Sequence, residues 1–382
     1  MNNISILVGL KNNLEYTQYF YSTTRELYPE VEICFVSFGS TDGTHEWLDS
    51  LKDPFLKYYY SEESKTFSDT FNKATQLATK EYVAYLHNDI VLAPGFLENL
   101  QKHIGTNVVV SYTTIEPPIF AGHERPGKII KGFGDSLETF NREDFIEFVK
   151  TAQQEYSNQT EKGITFFMCL HRHTLLNMGG MDNLFSPMFC EDDDLILRLK
   201  LKGMKMVTSL DAICYHFVSK TSRFSEEYKR NTNIIEYNSN RNYVRKWNSR
   251  TSEIKYDVGF VVKNCTDKIL YLLEPWCDTF YLEKDLSPLK ESYIQIEQKN
   301  TRYNLVEKIK DFSEIKQNDI LVEFDTKNFS EYSFNIIQQL TEIIKQSGSV
   351  GSFEVDIFNI YIKRMQEVQD RNIICKNSSY LY

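Results

Sequence analysis

A chain of 382 residues with 41% hydrophobic and 25% charged side chains has a globular composition and is long enough for two domains. Its formal net charge of −10 is shared between the first 250 residues and the remainder, with no basic cluster, which argues against a nucleic-acid binder. Seven singly spaced cysteines make no CxxC pair, and no apolar window reaches the length of a membrane span, so neither a disulfide frame, a zinc site nor a transmembrane segment is expected. The opening MNNISILVGL lacks the basic region and cleavage site of a secretion signal, which points to reduced thiols and a cytoplasmic location.

The first element is the apolar run 4–10, ISILVGL, which suits a strand buried on both faces of a parallel sheet. A polar turn at Lys11-Asn12-Asn13 leads to helical spacing from Leu14 to about Leu27. A second strand, Val31 to Val36, ends in the turn Gly39-Ser40-Thr41-Asp42-Gly43-Thr44, which opens a helix through Trp47 and Leu51. Leu56–Tyr60 is a third strand, Phe67–Ala78 a helix, and Tyr82–Leu86 a fourth strand stopped by His87-Asn88-Asp89. This alternation predicts βαβ units and a doubly wound, mostly parallel sheet, whose ligands sit beyond the carboxyl ends of the strands.

Residues 116–162 are rich in Gly and Pro and read as a long loop or mobile flap. Order resumes at Thr165–Leu170, followed by a helix over Asp192–Leu201, a strand near Met204–Thr208 and a closing helix over Glu236–Trp247. From about Lys255 a smaller α/β or α+β domain is expected, with strand-like pieces at Val258–Val262, Ile269–Leu273, Thr279–Leu282 and Ile320–Phe324. Helix-like pieces there are Tyr332–Lys345 and Ile357–Val368.

Three clusters carry chemistry. His87-Asn88-Asp89, at a strand end, is compatible with a turn and with a carboxylate that holds a divalent ion against a diphosphate. Glu191-Asp192-Asp193-Asp194 opens a helix, where acids cap the dipole, but four in a row exceed what capping needs. His216 ends the apolar run Ala212–Phe217 and precedes the polar stretch Ser219–Arg223.

Taken in order, these landmarks resemble the family-two glycosyltransferases of GT-A fold, over residues 4 to about 248. Gly39–Thr44 is similar to the family's second-strand turn, Phe67–Asn72 to its donor-binding helix start, and His87-Asn88-Asp89 to its DxD. Met178-Gly179-Gly180-Met181-Asp182 resembles the segment before the acceptor site, and Glu191–Leu195 with Arg198 and Gly203 resembles EDxDLxxRxxxxG. Two places depart from the pattern: Ser37 and Phe38 stand where the family has acids, and His87 replaces the first acid of DxD.

The resemblance implies a Rossmann-like nucleotide-sugar-binding domain over residues 1–250 and an accessory domain over 255–382, with self-association among the latter's open roles. It implies a metal-dependent inverting transfer of sugar from a nucleotide-sugar donor to a carbohydrate or glycoconjugate hydroxyl. Asp89 and His216 would hold Mn²⁺ or Mg²⁺, and Asp192 would be the general base with Glu191 beside it. The donor would lie against Leu10, Lys11, Asn12, Ser37, Gly39, Asp42, Asp69, Asn72, His87 and Asn88. Gly180 and Asp194 would face the acceptor, and Lys220 or Arg223 the phosphates. A nucleotidyltransferase and a catalytically inactive nucleotide-sugar-binding module are the rival readings.

Overall fold

The computed structural model describes residues 3–119, 122–218, 228–369, 373–376 and 379–381. The chain divides into two compact units, Met1–Asn233 and Ile234–Tyr382. Among the described residues no helix is long and apolar enough to cross a membrane.

The first unit runs β1 (Ile4–Leu10), α1 (Leu14–Leu27), β2 (Glu32–Phe38), α2 (Thr44–Ser50), β3 (Leu56–Ser61), α3 (Phe67–Leu77) and β4 (Tyr82–His87). It continues through β5 (Ile90–Leu92), α4 (Phe96–Gln101), β6 (Val108–Glu116), β7 (Lys128–Ile130), α5 (Arg142–Glu155), β8 (Thr160–Lys162) and β9 (Met168–His171). Helices α6 (Arg172–Asn177) and α7 (Glu191–Leu201) and the long strand β10 (Lys205–His216) complete it. The sheet has the order β3-β2-β1-β4-β9-β6-β10-β5, with β7 beside β6 and β8 beside β10. Strands β3, β2, β1 and β4 are parallel to one another, β6 is parallel to β10, and β9 lies antiparallel between β4 and β6. The mostly parallel α/β architecture read from the sequence is the one observed.

Strand β1 is apolar throughout because both its faces are covered. Ile4, Ile6, Val8 and Leu10 pack with Phe20 of α1 and Leu48 of α2, while Leu7 points to the other side, where Phe71 and Ala74 of α3 lie. Each such side chain buried contributes about 1.5–3 kcal/mol. Gly9 allows α3 to approach, since a Cβ there would stand 2.9 Å from Thr70 Cγ2 and 3.0 Å from Phe71 Cε2.

The segment 116–162 corrects the expectation of a long loop. It contains β7, the 14-residue α5 and β8. Asn141 caps α5 by accepting a hydrogen bond from the Asp144 amide at 3.1 Å. Phe145, Val149 and Ala152 then share one helical face, buried against Tyr215 and Phe217. The Gly and Pro residues cluster before this helix and hide its apolar stripe from a composition-based reading.

The second unit takes in α8 (Thr232–Trp247) from Ile234 onward, then β11 (Val258–Lys263), α9 (Asp267–Leu273), β12 (Thr279–Leu282), α10 (Ser287–Glu297), α11 (Leu305–Lys308), β13 (Ile309–Asp311) and β14 (Ile320–Asp325). After these come α12 (Glu331–Gln338), α13 (Leu340–Ser347), β15 (Gly351–Val355), β16 (Phe358–Ile362) and a small hairpin of β17 (Ile374–Lys376) and β18 (Ser379–Leu381). Its main sheet has the order β13-β12-β11-β14-β16-β15. Two expectations change here. Ile269–Leu273 belongs to helix α9, which Thr266 caps. Phe358–Ile362 is a strand, paired with β15 across a turn that sets Asp356 at φ 52°, and it buries Phe358, Ile360 and Ile362 at strand spacing.

Helix α8, read as closing the first domain, is tied to the second unit by a buried ionic network. Arg245 Nη2 lies 2.8 Å from Glu274 Oε2 and also pairs with Glu297, which Arg241 Nε reaches at 3.0 Å. The guanidinium of Arg245, with Arg241 and Lys308, holds the Glu274 carboxyl far below the usual range against the opposing pull of burial. Removing one partner of such a pair leaves an uncompensated buried charge. Glu274→Leu is therefore expected to cost about 3–5 kcal/mol. Hydrogen exchange checks it: amides of α8 should exchange much faster, while those of β1 to β4 stay unchanged.

Candidate functional site

The carboxyl ends of β1 and β2 bring Lys11, Asn12, Ser37, Gly39 and Asp42 together. Lys11 Nζ donates to Gly39 O at 2.8 Å and to Ser64 Oγ at 3.0 Å. The Thr41 amide donates to Asn12 Oδ1 at 2.8 Å, and the Asn12 amide to Ser40 Oγ at 2.9 Å. Asp42 accepts from the amide of Leu14, the first residue of α1, at 2.8 Å, joining the two turns. Asn12 and Asn13 both take φ near 59°, a left-handed conformation that asparagine tolerates. Leu10 is buried in the core. Ser37 Oγ lies 3.0 Å from His45 Nε2, and His45 Nδ1 lies 3.2 Å from Glu62 Oε1, a chain that sequence reading missed. Phe38 lies in the core, edge-on to Tyr59.

A second cluster joins α3, the loop 178–183 and α7. Asp69 forms a capping box with Thr66 at the start of α3. Asn72 Nδ2 donates to Met181 O and its Oδ1 accepts from the Met181 amide, both at 2.8 Å. Gly180, at φ 75°, lies so close that a Cβ would collide with Asn72 Oδ1. Asp194 is fully buried and pairs with Arg198 Nε at 2.8 Å, and the same guanidinium donates to Met178 O at 3.1 Å and Gly180 O at 2.7 Å. The side chains of Asp69, Asn72 and Asp194 are thus engaged with this loop and its flanking helices.

The third cluster is the set of groups able to hold a metal. His87 ends β4, Asp89 follows it, and His216 ends β10. One ligand atom from each lies within 4.8 Å of the others. His216 Nε2 is 3.5 Å, and His87 Nδ1 3.9 Å, from Asp89 Oδ1. The buried Nε2 atoms of both histidines have no hydrogen-bond partner among the described residues. Burial drives the His87 pKa down to about 4, the His216 charge adding to that effect and Asp89 opposing it, so the ring is neutral at pH 7. For His216 burial also pulls downward, but Asp89 and Glu116 outweigh it and hold the ring near 9. Phe166 and Phe167 pack 4.7 and 4.9 Å from the His87 ring and wall the site. Asn88 turns away, its Nδ2 donating to Thr17 Oγ1 at 2.9 Å.

Sequence reading missed Glu116 and Lys128. Glu116 Oε1 lies 3.3 Å from His216 Nδ1, and its Oε2 lies 2.7 Å from Lys128 Nζ. Burial would raise the Glu116 carboxyl, but His216 and Lys128 bring it down to about 2. The signal was an acid at the end of a β-branched run, Thr113-Thr114-Ile115-Glu116.

At the start of α7, Phe189 and Cys190 take φ of 78° and 67°, and the acids follow directly. Burial, then the charge of Asp192, pushes the Glu191 carboxyl well up. Burial, then Asp193, raises Asp192 to about 6. The amide of Phe67 donates to Pro187 O at 2.9 Å, and the Phe67 ring meets His87 edge-on at 6.0 Å, so the approach to α7 is tied to the wall of the metal cluster. Lys220 and Arg223, expected at the phosphates, lie outside the described residues.

A mostly parallel α/β unit with an acid and two histidines close together at its strand ends and an acidic helix start is consistent with a GT-A, Rossmann-like fold. The family model "Glycosyl transferase family 2" matches residues 5–172. No curated protein matches the chain. Among solved structures it is similar to a mannosyltransferase, PcManGT from Pyrobaculum calidifontis in complex with GDP-Man and Mn²⁺, with 19% identity and a TM-score of 0.43 over 64% of this chain. It is also similar to GalNAc-T7 with UDP, GalNAc and Mn²⁺, with 12% identity and a TM-score of 0.46 over 64% of this chain. The chain spans 63% of the length of the first and 48% of the second.

The Gly180 contact yields a test. Gly180→Ala places a Cβ at positive φ, costing about 1–2 kcal/mol, and drives it into Asn72. Thermal melting should show a drop of at least a few degrees, with less of a drop for a glycine-to-alanine change at the open Gly203.

Proposed function

We propose that this protein is a metal-dependent, inverting glycosyltransferase that moves a sugar from a nucleotide-sugar donor to a hydroxyl of a carbohydrate or glycoconjugate acceptor. The observation that carries this reading is the convergence of His87, Asp89 and His216 within 4.8 Å at strand ends of a unit that the family 2 model matches over residues 5–172. Two imidazoles and one carboxylate suit Mn²⁺ better than Mg²⁺, which prefers oxygen ligands. An ion held there supplies Lewis-acid neutralisation of the leaving diphosphate.

The remaining steps belong to the chain's own groups. Asp192 takes the proton from the attacking hydroxyl, since an alcohol is a poor nucleophile while protonated. Its carboxyl, held up at about 6, is ionised at neutral pH yet more basic than an ordinary aspartate. Glu191 precedes it and orients it. The Lys11–Asn12 and Gly39–Asp42 turns form the rim for the nucleoside, and Phe166 and Phe167 exclude water beside the diphosphate. Asn72 and Asp194 serve by fixing the Gly180 loop at the acceptor side. Residues 255–382 take an accessory role, in acceptor capture or self-association.

Release of nucleoside diphosphate from a panel of nucleotide sugars, with Mn²⁺ and with chelator, tests the reading. Metal-dependent turnover on at least one donor is expected, and metal-independent or absent turnover across the panel overturns it. Asp192→Asn should lose about two to four powers of ten in kcat while keeping donor affinity. Because the ionised carboxylate is the active form, wild-type kcat/KM should fall tenfold per pH unit below about 6 and be level above it. Asp89→Ala and His216→Ala should each weaken nucleoside-diphosphate binding in Mn²⁺ and leave it unchanged in chelator, as read by isothermal titration.

A further inference from the structure

We propose that Glu116 is a positioning residue for the metal site: it fixes the His216 ring so that Nε2 is presented to the ion. This rests on the reading of His87, Asp89 and His216 as metal ligands. Strands β6 and β10 run parallel with Tyr215 opposite Ile115, so the next residue of each, His216 and Glu116, ends its strand at the same level. Glu116 Oε1 meets His216 Nδ1 at 3.3 Å. In its neutral, metal-binding form an imidazole whose Nδ1 hydrogen is directed to a carboxylate has its lone pair on Nε2. That nitrogen is the atom 3.5 Å from Asp89 Oδ1, and it has no hydrogen-bond partner among the described residues.

Glu116 itself stands outside the ligand set. Its second oxygen is taken by Lys128 Nζ at 2.7 Å, and Thr114 Oγ1 donates to the first at 3.3 Å. Lys128 comes from β7, paired to β6 with Thr114 opposite Lys128, so the cation is supplied by the neighbouring strand rather than by a flexible surface side chain. The carboxylate is buried and held from both sides, which leaves the ring one orientation. A carboxylate in this position raises the basicity of the ligand nitrogen and removes the need to order the ring when the ion binds.

A double-mutant cycle read by isothermal titration of Mn²⁺ alone decides the matter. Glu116→Gln is expected to raise the Kd for Mn²⁺ roughly ten- to hundredfold, and Glu116→Asp to recover part of the loss. In a His216→Ala background, Glu116→Gln should add nothing, because the residue acts through that ring. A merely structural role would give the same loss in both backgrounds, and that result overturns the proposal, as does an unchanged Kd in Glu116→Gln. Wild-type protein that binds no Mn²⁺ would overturn the metal reading and this proposal with it. Wild-type binding with an indifferent Glu116→Gln would overturn the proposal alone. Melting of each variant in chelator separates loss of fold from loss of the site.

Discussion

The site depends on a short antiparallel ladder. Immediately after Asp89 the chain forms β5, which pairs with the end of β10 so that Ile90 stands opposite His216. The Phe217 amide closes the ladder by donating to Asp89 O at 3.0 Å. Backbone hydrogen bonds therefore lock together two side chains 127 positions apart. Without that ladder, a buried aspartate beside a buried histidine would be a desolvation cost with nothing to hold it in place. The strand order places β10 next to β6 as well, so the same strand end that meets Asp89 also meets Glu116. The parallel half of the sheet positions the turns at β1 and β2, and the inserted β9 brings Phe166 and Phe167 up against the metal cluster.

The carboxylates of the first unit fall into two populations, separated by whether burial is compensated. Glu116 is buried with His216 and Lys128 on either side, and its carboxyl is brought down to about 2. Glu191 and Asp192 are buried without a cation among the causes of their shifts, and both are pushed up. One population stays ionised across the physiological range and holds charge in place. In the other, burial raises the affinity of each carboxyl for a proton.

What the sequence made legible were features with local causes. Strand β1 was readable because burial on both faces leaves an unbroken apolar run, and β4 because His87-Asn88-Asp89 stops it sharply. Asp89 and His216 were readable as ends of such runs. Glu116 was not, because Ser111, Thr113 and Thr114 interrupt the apolar character of β6, and its value comes from β10 beside it, a pairing no local pattern encodes. Helix α5 was obscured by the Gly and Pro residues ahead of it. Helix α8 was legible as a helix but not as part of the second unit, since the partners of Arg241 and Arg245 lie 29 to 56 positions further on.

The four acids at the start of α7 show how a sequence signal is divided once the chain folds. Read in a row, they suggest mutual repulsion in need of a cation. In the folded chain they point in different directions, as a helix requires, and meet different surroundings. Asp194 turns inward and is neutralised by Arg198, one turn later, whose remaining donors hold the carbonyls of Met178 and Gly180. Asp193 is exposed, while burial of Glu191 and Asp192 raises the affinity of both carboxyls for a proton. The pattern EDxDLxxR therefore meets two environments in one helical turn. Its last acid and the arginine build the loop, and its first two acids carry carboxyls whose affinity for a proton is raised by burial.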